Sequence, residues 1–100
     1  MEVLLFGGTG EGRELAQWLL TQQIPALVCV ATEYGETLLP AGIEAHVGRL
    51  DEAGMAALMA SRPFTHVVDA THPYAVEVTA NIKAPAQGAG LPLLRLVRQS

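Results

Sequence analysis

Apolar residues along this chain fall into short unbroken runs, separated by stretches in which they recur every three or four positions. Val3 to Phe6, Ala26 to Ala31, Ile43 to Val47, His66 to Asp69 and Leu93 to Val97 have the length and branching of buried strands. Ala26 to Ala31 is apolar throughout, as in a parallel strand covered on both faces. Between the runs, Leu15, Trp18 and Leu19, widened by Ala16 and Leu20, form the apolar face of a helix over about 11–21. Met55, Leu58 and Met59 give the buried stripe of a second helix over about 52–61, with Asp51 as its cap. A third helix is expected to start near Pro73 or Tyr74, capped by Thr71 or His72, with Val78 and Ile82 on its apolar face. Pro85 falls inside that pattern and should kink or stop the helix around 82–84. The stretch TEYGETLLPAG is too short for a full crossover helix and rich in turn residues.

Strands alternating with helices over this length predict a single α/β domain, a Rossmann-like three-layer fold with a five-stranded parallel sheet and right-handed crossovers. The short link between the second and third strands favours the order 3-2-1-4-5 over the flavodoxin-like 2-1-3-4-5. Ligands of such sheets sit at the carboxyl ends of the strands. The loops expected there are Gly7 to Gly12, Thr32 to Gly35, Gly48 to Leu50 and Asp69 to Tyr74, and they hold much of the polar chemistry of the chain.

The first of these loops belongs to VLLFGGTGEGR, a strand followed by four glycines in six positions and then a helix. Bare N–H groups at the positive end of a helix suit a phosphate or pyrophosphate, and glycine lets the anion approach the backbone. Gly7, Gly8, Thr9, Gly10, Gly12 and Arg13 are therefore candidate cofactor contacts, and Gly10 is read as a positive-φ position. The strict dinucleotide pattern G-x-G-x-x-G fails, because position 13 is Arg13. A P-loop is excluded, since Arg13 and Glu14 stand where Lys and Ser/Thr are needed. The spacing from Gly8 also fits methyltransferases that bind S-adenosylmethionine, although Phe6 replaces their usual acid.

In a dinucleotide site the end of the second strand meets the adenosine ribose, where an acid favours NAD and a basic or hydroxyl group accommodates the NADP 2′-phosphate. Thr32, Glu33 and Arg49 are the candidates, and they point both ways. In DATHPYA, Asp69, Thr71, His72, Pro73 and Tyr74 concentrate hydrogen-bonding groups at a strand end facing the cleft. His72 could act as a general acid near neutral pH. A Thr or His cap with proline in the first helical turn explains the same residues structurally.

Composition narrows the partners. The formal net charge is −4 with six basic residues, and no basic stripe exists to bind nucleic acid or an anionic membrane. The apolar start lacks the basic flank of a signal peptide, and no run approaches the roughly 18 residues of a membrane span, so a cytoplasmic protein is expected. Cys29 is the sole cysteine and lies within a strand pattern, which points to a buried small hydrophobe, with no disulfide and no metal cluster.

GGTGEGR, VATEYG, VGRLDE, DATHPYA and LPLLRLVR, in that order, resemble the precorrin-6A reductase family of corrinoid biosynthesis over nearly the whole chain. The resemblance implies two α/β domains with the active site between them, of which this chain is the first. It also implies NADPH-dependent reduction of one double bond in the precorrin-6A or cobalt-precorrin-6A macrocycle, a tetrapyrrole-derived substrate. On that reading Gly8 to Arg13 handle the cofactor phosphates, and the loops with Thr32, Glu33, Tyr34 and Gly35 and with Asp69 to Tyr74 face cofactor or macrocycle. No residue takes a defined proton-transfer role, and a C-terminal domain of the same chain supplies the other wall. A dinucleotide-sensing module without catalysis is the alternative from another class.

Overall fold

Val3–Phe6 is buried at every position because it is the middle strand of the sheet, flanked on both edges and covered on both faces. The computed structural model describes residues 1–98. Five parallel strands, β1 (Val3–Phe6), β2 (Ala26–Val30), β3 (Glu44–Val47), β4 (His66–Asp69) and β5 (Leu93–Arg95), lie in the order β3-β2-β1-β4-β5. The helices are α1 (Gly10–Thr21), α2 (Glu33–Thr37), α3 (Glu52–Ala60) and α4 (Val76–Gly88). The three-layer α/β arrangement and the strand order agree with the reading of the sequence.

Alternation along the strands divides the core in two. Leu4, Phe6, Leu27, Cys29 and Val67 point to one face and pack with Met55 and Met59 of α3 and Ile82 and Ala86 of α4. Val3, Leu5, Val28, Val30 and Val68 point to the other, beneath Ala16 and Leu19 of α1. Both faces being covered is what permits the unbroken apolar runs of β1 and β2.

Several elements differ locally from the reading of the sequence. Trp18 is 52 % exposed; the face that α1 buries runs through Gly12, Ala16 and Leu19, four and then three positions apart. Residues 33–37 form a single short helix within the stretch read as too short for a full crossover helix, and the Thr32 side chain caps it by accepting the Gly35 N–H at 3.0 Å. Helix α4 begins at Val76 and not at Pro73 or Tyr74, and its cap position, Ala75, makes no side-chain hydrogen bond. Of the kink or stop expected at Pro85, the stop does not occur: α4 continues to Gly88. The proline costs the helix one donor; it is buried, as are Ile82 and Ala86, and it lines a hollow between α4 and α3. Strand β5 is also shorter than expected, ending at Arg95.

Candidate functional site

All five strands run parallel, so their carboxyl ends bring the loops after β1, β2, β3 and β4 to one edge. A cleft of about 750 Å³ opens there, lined by Gly7 and Gly8, by Ala31, by Gly48 to Asp51, by Thr71 and His72, and by the α4 residues Glu77, Val78 and Asn81. Its floor is Phe6, Cys29, Val30 and Met55. Burial pushes the Cys29 thiol up to about 12, so it stays protonated and apolar at neutral pH.

The four glycines of the first loop have different physical duties. Gly8 has φ of 140°, a conformation that side-chain-bearing residues rarely adopt, and nothing lies within 4 Å of where its Cβ would stand. Gly7 is held by its N–H to Cys29 O at 2.8 Å, and a Cβ there would come within 3.3 Å of Val28. Gly12 lets α1 settle on the sheet, since an added Cβ would meet Ala70 Cβ at 3.1 Å. Gly10 is the first residue of α1 and is not among the positive-φ positions, which corrects the expectation for it. Thr9 caps α1 by accepting the Gly12 N–H at 3.2 Å and donates its hydroxyl to Ala70 O at 2.7 Å. Its side chain is thus spent on joining the first loop to the fourth.

Glu11 and Arg13 stand in the first turn of α1. Glu11 is held below the ordinary carboxylate range by a backbone hydrogen bond and by Arg98, whose Nε lies 2.7 Å from its Oε1. Arg13 is half-buried, with Nη2 3.6 Å from the position a Gly10 Cβ would take. Across the cleft, Arg49 is exposed and forms part of the lining, next to Gly48 with φ of 125°.

Residues 32–35 behave differently from the expectation that they face the cleft. Thr32 is committed as the cap of α2, and Gly35 allows that helix to approach Val30, whose Cβ would be 3.3 Å from an added Cβ. Glu33 and Tyr34 are exposed, and Ala31 is the residue after β2 that lines the cleft.

The loop after β4 is divided in the same way. Asp69, expected to line the cleft, is 1 % exposed and turned inward. Its Oδ1 accepts from Thr71 N at 3.0 Å, Thr71 Oγ1 at 2.6 Å and Arg95 Nη1 at 2.9 Å, and its Oδ2 accepts from Thr79 Oγ1 at 2.7 Å. A carboxylate with these four donors is bound as a strut and has been withdrawn from the cleft. His72 remains on the cleft wall, and its Nδ1 accepts the Tyr74 N–H at 3.2 Å. In the neutral ring the proton therefore belongs to Nε2. Tyr74, 87 % exposed, lies against the His72 ring with centroids 4.9 Å apart, and Pro73 sits in the exposed turn between them.

Sequence reasoning missed Arg95 and the α4 contributors Glu77 and Asn81. The i, i+4 spacing of 77 and 81 would have shown the second, had α4 been started at Val76. Among the described residues no group of His, Cys, Asp and Glu could hold a metal ion, and no helix is long and apolar enough to cross a membrane.

Comparison with known proteins adds lineage to this geometry. Residues 2–100 match the family described as "Precorrin-6x reductase CbiJ/CobK". The precorrin-6A reductase of Rhodococcus erythropolis is 36% identical over 100 residues, covering 96% of this chain and 39% of that protein. The cobalt-precorrin-6A reductase of Synechocystis sp. is 33% identical over 98 residues, covering 96% of this chain and 38% of that protein. A solved CobK precorrin-6A reductase superposes with a TM-score of 0.86 at 29% identity, over 99% of this chain and 39% of that one. The chain thus spans about two fifths of the length of these relatives. These matches support the reductase reading and lend nothing to the methyltransferase or sensor alternatives.

Proposed function

The chain belongs to the precorrin-6x reductase CbiJ/CobK family, and from that premise we propose that it is the NADPH-binding domain of an enzyme that reduces a double bond of precorrin-6A or cobalt-precorrin-6A in cobalamin biosynthesis. The observation that carries the cofactor assignment is that Gly8 and Arg49 line one cleft, an anion-accepting turn at one side and a cation at the other. The residues fit a dinucleotide. The open space at Gly8 leaves room for a pyrophosphate against the backbone, at the amino end of α1 where the dipole favours negative charge. Arg49 is placed to meet a 2′-phosphate, with the apolar Ala31 and Leu50 beside it for the adenosine.

When bound, NADPH supplies the hydride, and the protein's own share of the chemistry is positioning and exclusion of water. Met55 in the floor and Val78 of α4 make that part of the cleft lining apolar. Thr71 and His72 occupy the wall opposite Arg49, and His72 Nε2–H is the candidate hydrogen-bond or proton donor to the macrocycle. Arg13, Thr32, Glu33, Tyr34 and Gly35 stay outside the lining of the cleft within this domain, and a role for them requires the second domain or the bound ligand. That C-terminal domain would close the cleft from above and contribute cations for the substrate carboxylates.

Titration of the full-length protein with NADPH and NADH tests the assignment. Preference for NADPH is expected, reduced by about tenfold or more in Arg49→Ala through loss of a charge-assisted phosphate contact. Equal affinity for both cofactors in the unaltered protein would overturn it.

A further inference from the structure

We propose that Arg95 is a positioning residue of this site, holding the loop after β4 in the conformation that presents Thr71 and His72 to the cleft. The inference rests on the reading of the cleft as the reductase site. A single nitrogen, Arg95 Nη1, lies 2.9 Å from Asp69 Oδ1, 3.0 Å from Thr71 O, and 3.3 Å from both Asp69 O and Thr71 Oγ1. It thereby joins β5 to both ends of the segment Asp69 to Thr71, immediately before His72.

Two further observations give this contact its weight. Helix α4 enters without a side-chain cap, Ala75 having φ of −84° and ψ of 58°, so the loop is not fixed by the usual device at a helix start. Its anchoring comes instead from the Asp69 carboxylate, which reaches α4 through Thr79 and β5 through Arg95. Asp69 is buried, and removal of its cation would leave a buried carboxylate without a charged partner. On its other side the loop is tied to the glycine turn by Thr9 and Ala70, so it is fastened at three points. The Arg95 fastening is on the side away from the glycine turn, which separates its effect from cofactor binding.

The test uses the full-length reductase and compares Arg95→Met, Arg95→Lys and Thr79→Val with the unaltered protein. The readouts are NADPH affinity, kcat and KM with the macrocycle, and amide hydrogen exchange resolved by segment. Arg95→Met is expected to lower kcat by about tenfold or more, to leave NADPH affinity within about threefold, and to speed exchange in 70–75 while β1 and β2 stay protected. Because one nitrogen makes all four contacts, Arg95→Lys should recover most of the kcat and of the protection. Thr79→Val, which keeps the ion pair, should show the same local loosening in smaller degree. Unchanged kcat and unchanged exchange in Arg95→Met, or no recovery by lysine, would overturn the proposal, as would loss of protection spread evenly over the domain. Should Arg95→Met fail to fold, Arg95→Gln, which keeps a donor without the charge, takes its place: lowered kcat with faster exchange confined to 70–75 supports the role, and no change in either refutes it. Absence of NADPH binding in the unaltered protein would instead refute the cofactor reading, and the exchange data would still decide what Arg95 holds.

Discussion

Gly8 occupies a conformation that a side-chain-bearing residue adopts only at a cost of about 1–2 kcal/mol, and the space a side chain would fill is the space proposed for the cofactor phosphates. Gly8→Val should therefore weaken NADPH binding by at least about tenfold while the domain remains folded, as read by fluorescence titration and circular dichroism. Gly10→Ala should be far milder for the fold, because its Cβ would meet only the Arg13 side chain at 3.6 Å. Glu11→Gln should strengthen cofactor binding about two- to fivefold, since it removes a carboxylate from the first turn and leaves Arg98 unpaired beside it. Cys29 should resist alkylation in the folded protein at neutral pH, reacting only after denaturation. The composition of the glycine stretch made the turn legible in the sequence. It could not say which glycine bends the chain and which one admits the helix, because that depends on Ala70, which meets Gly12 only after β4 is in place. Asp69 misled for a related reason: a carboxylate at a strand end reads as a ligand until the partners that absorb it, Thr79 and Arg95, are seen converging from two other elements.

At the scale of elements, the strands were legible from their unbroken apolar runs, and the helices from their periodicity. Their ends were less so. Asp51 was read correctly as a cap, and it accepts the Gly54 N–H at 2.7 Å. Asp51→Ala should cost about 1 kcal/mol, measured as a lower midpoint in urea unfolding with an unchanged slope. The start of α4 differs from the expected one because Thr71 and His72, good caps in isolation, are both engaged by bonds two residues away within the loop. Thr71 is drawn to Asp69, and His72 accepts from the Tyr74 backbone. Thr9→Val should be costlier than the loss of a cap alone, about 1–3 kcal/mol, because the Ala70 carbonyl loses its hydroxyl donor as well.

For the whole molecule, charge decides what the domain can do by itself. Of six cations, Arg62 is paired with Glu2 and Glu44 at the edge of the sheet remote from the cleft, Arg95 with Asp69, and Arg98 with Glu11. Arg49 is the basic residue in the lining of the cleft, and the proposal assigns it to the cofactor. A polycarboxylated macrocycle would then find few cations here, so residues 1–100 should fold without turning over substrate, whereas turnover is expected of the full-length chain. Comparable rates from the two at equal concentration would show that the division between domains is wrong.

The hydroxyl of Thr9 and the carbonyl of Ala70 are separated by 61 positions. During synthesis at about 5–20 residues per second, that interval lasts about 3 to 12 seconds. The nascent chain can form β1, α1 and β2 in that time, but the edge of β1 that β4 will cover is open, with its backbone donors and acceptors unsatisfied. The glycine turn is likewise fastened only at the helix cap until the later strand arrives. Translation pauses between β2 and β4 would prolong that exposure of an apolar strand edge, and should lower the yield of soluble protein more than pauses placed after Asp69.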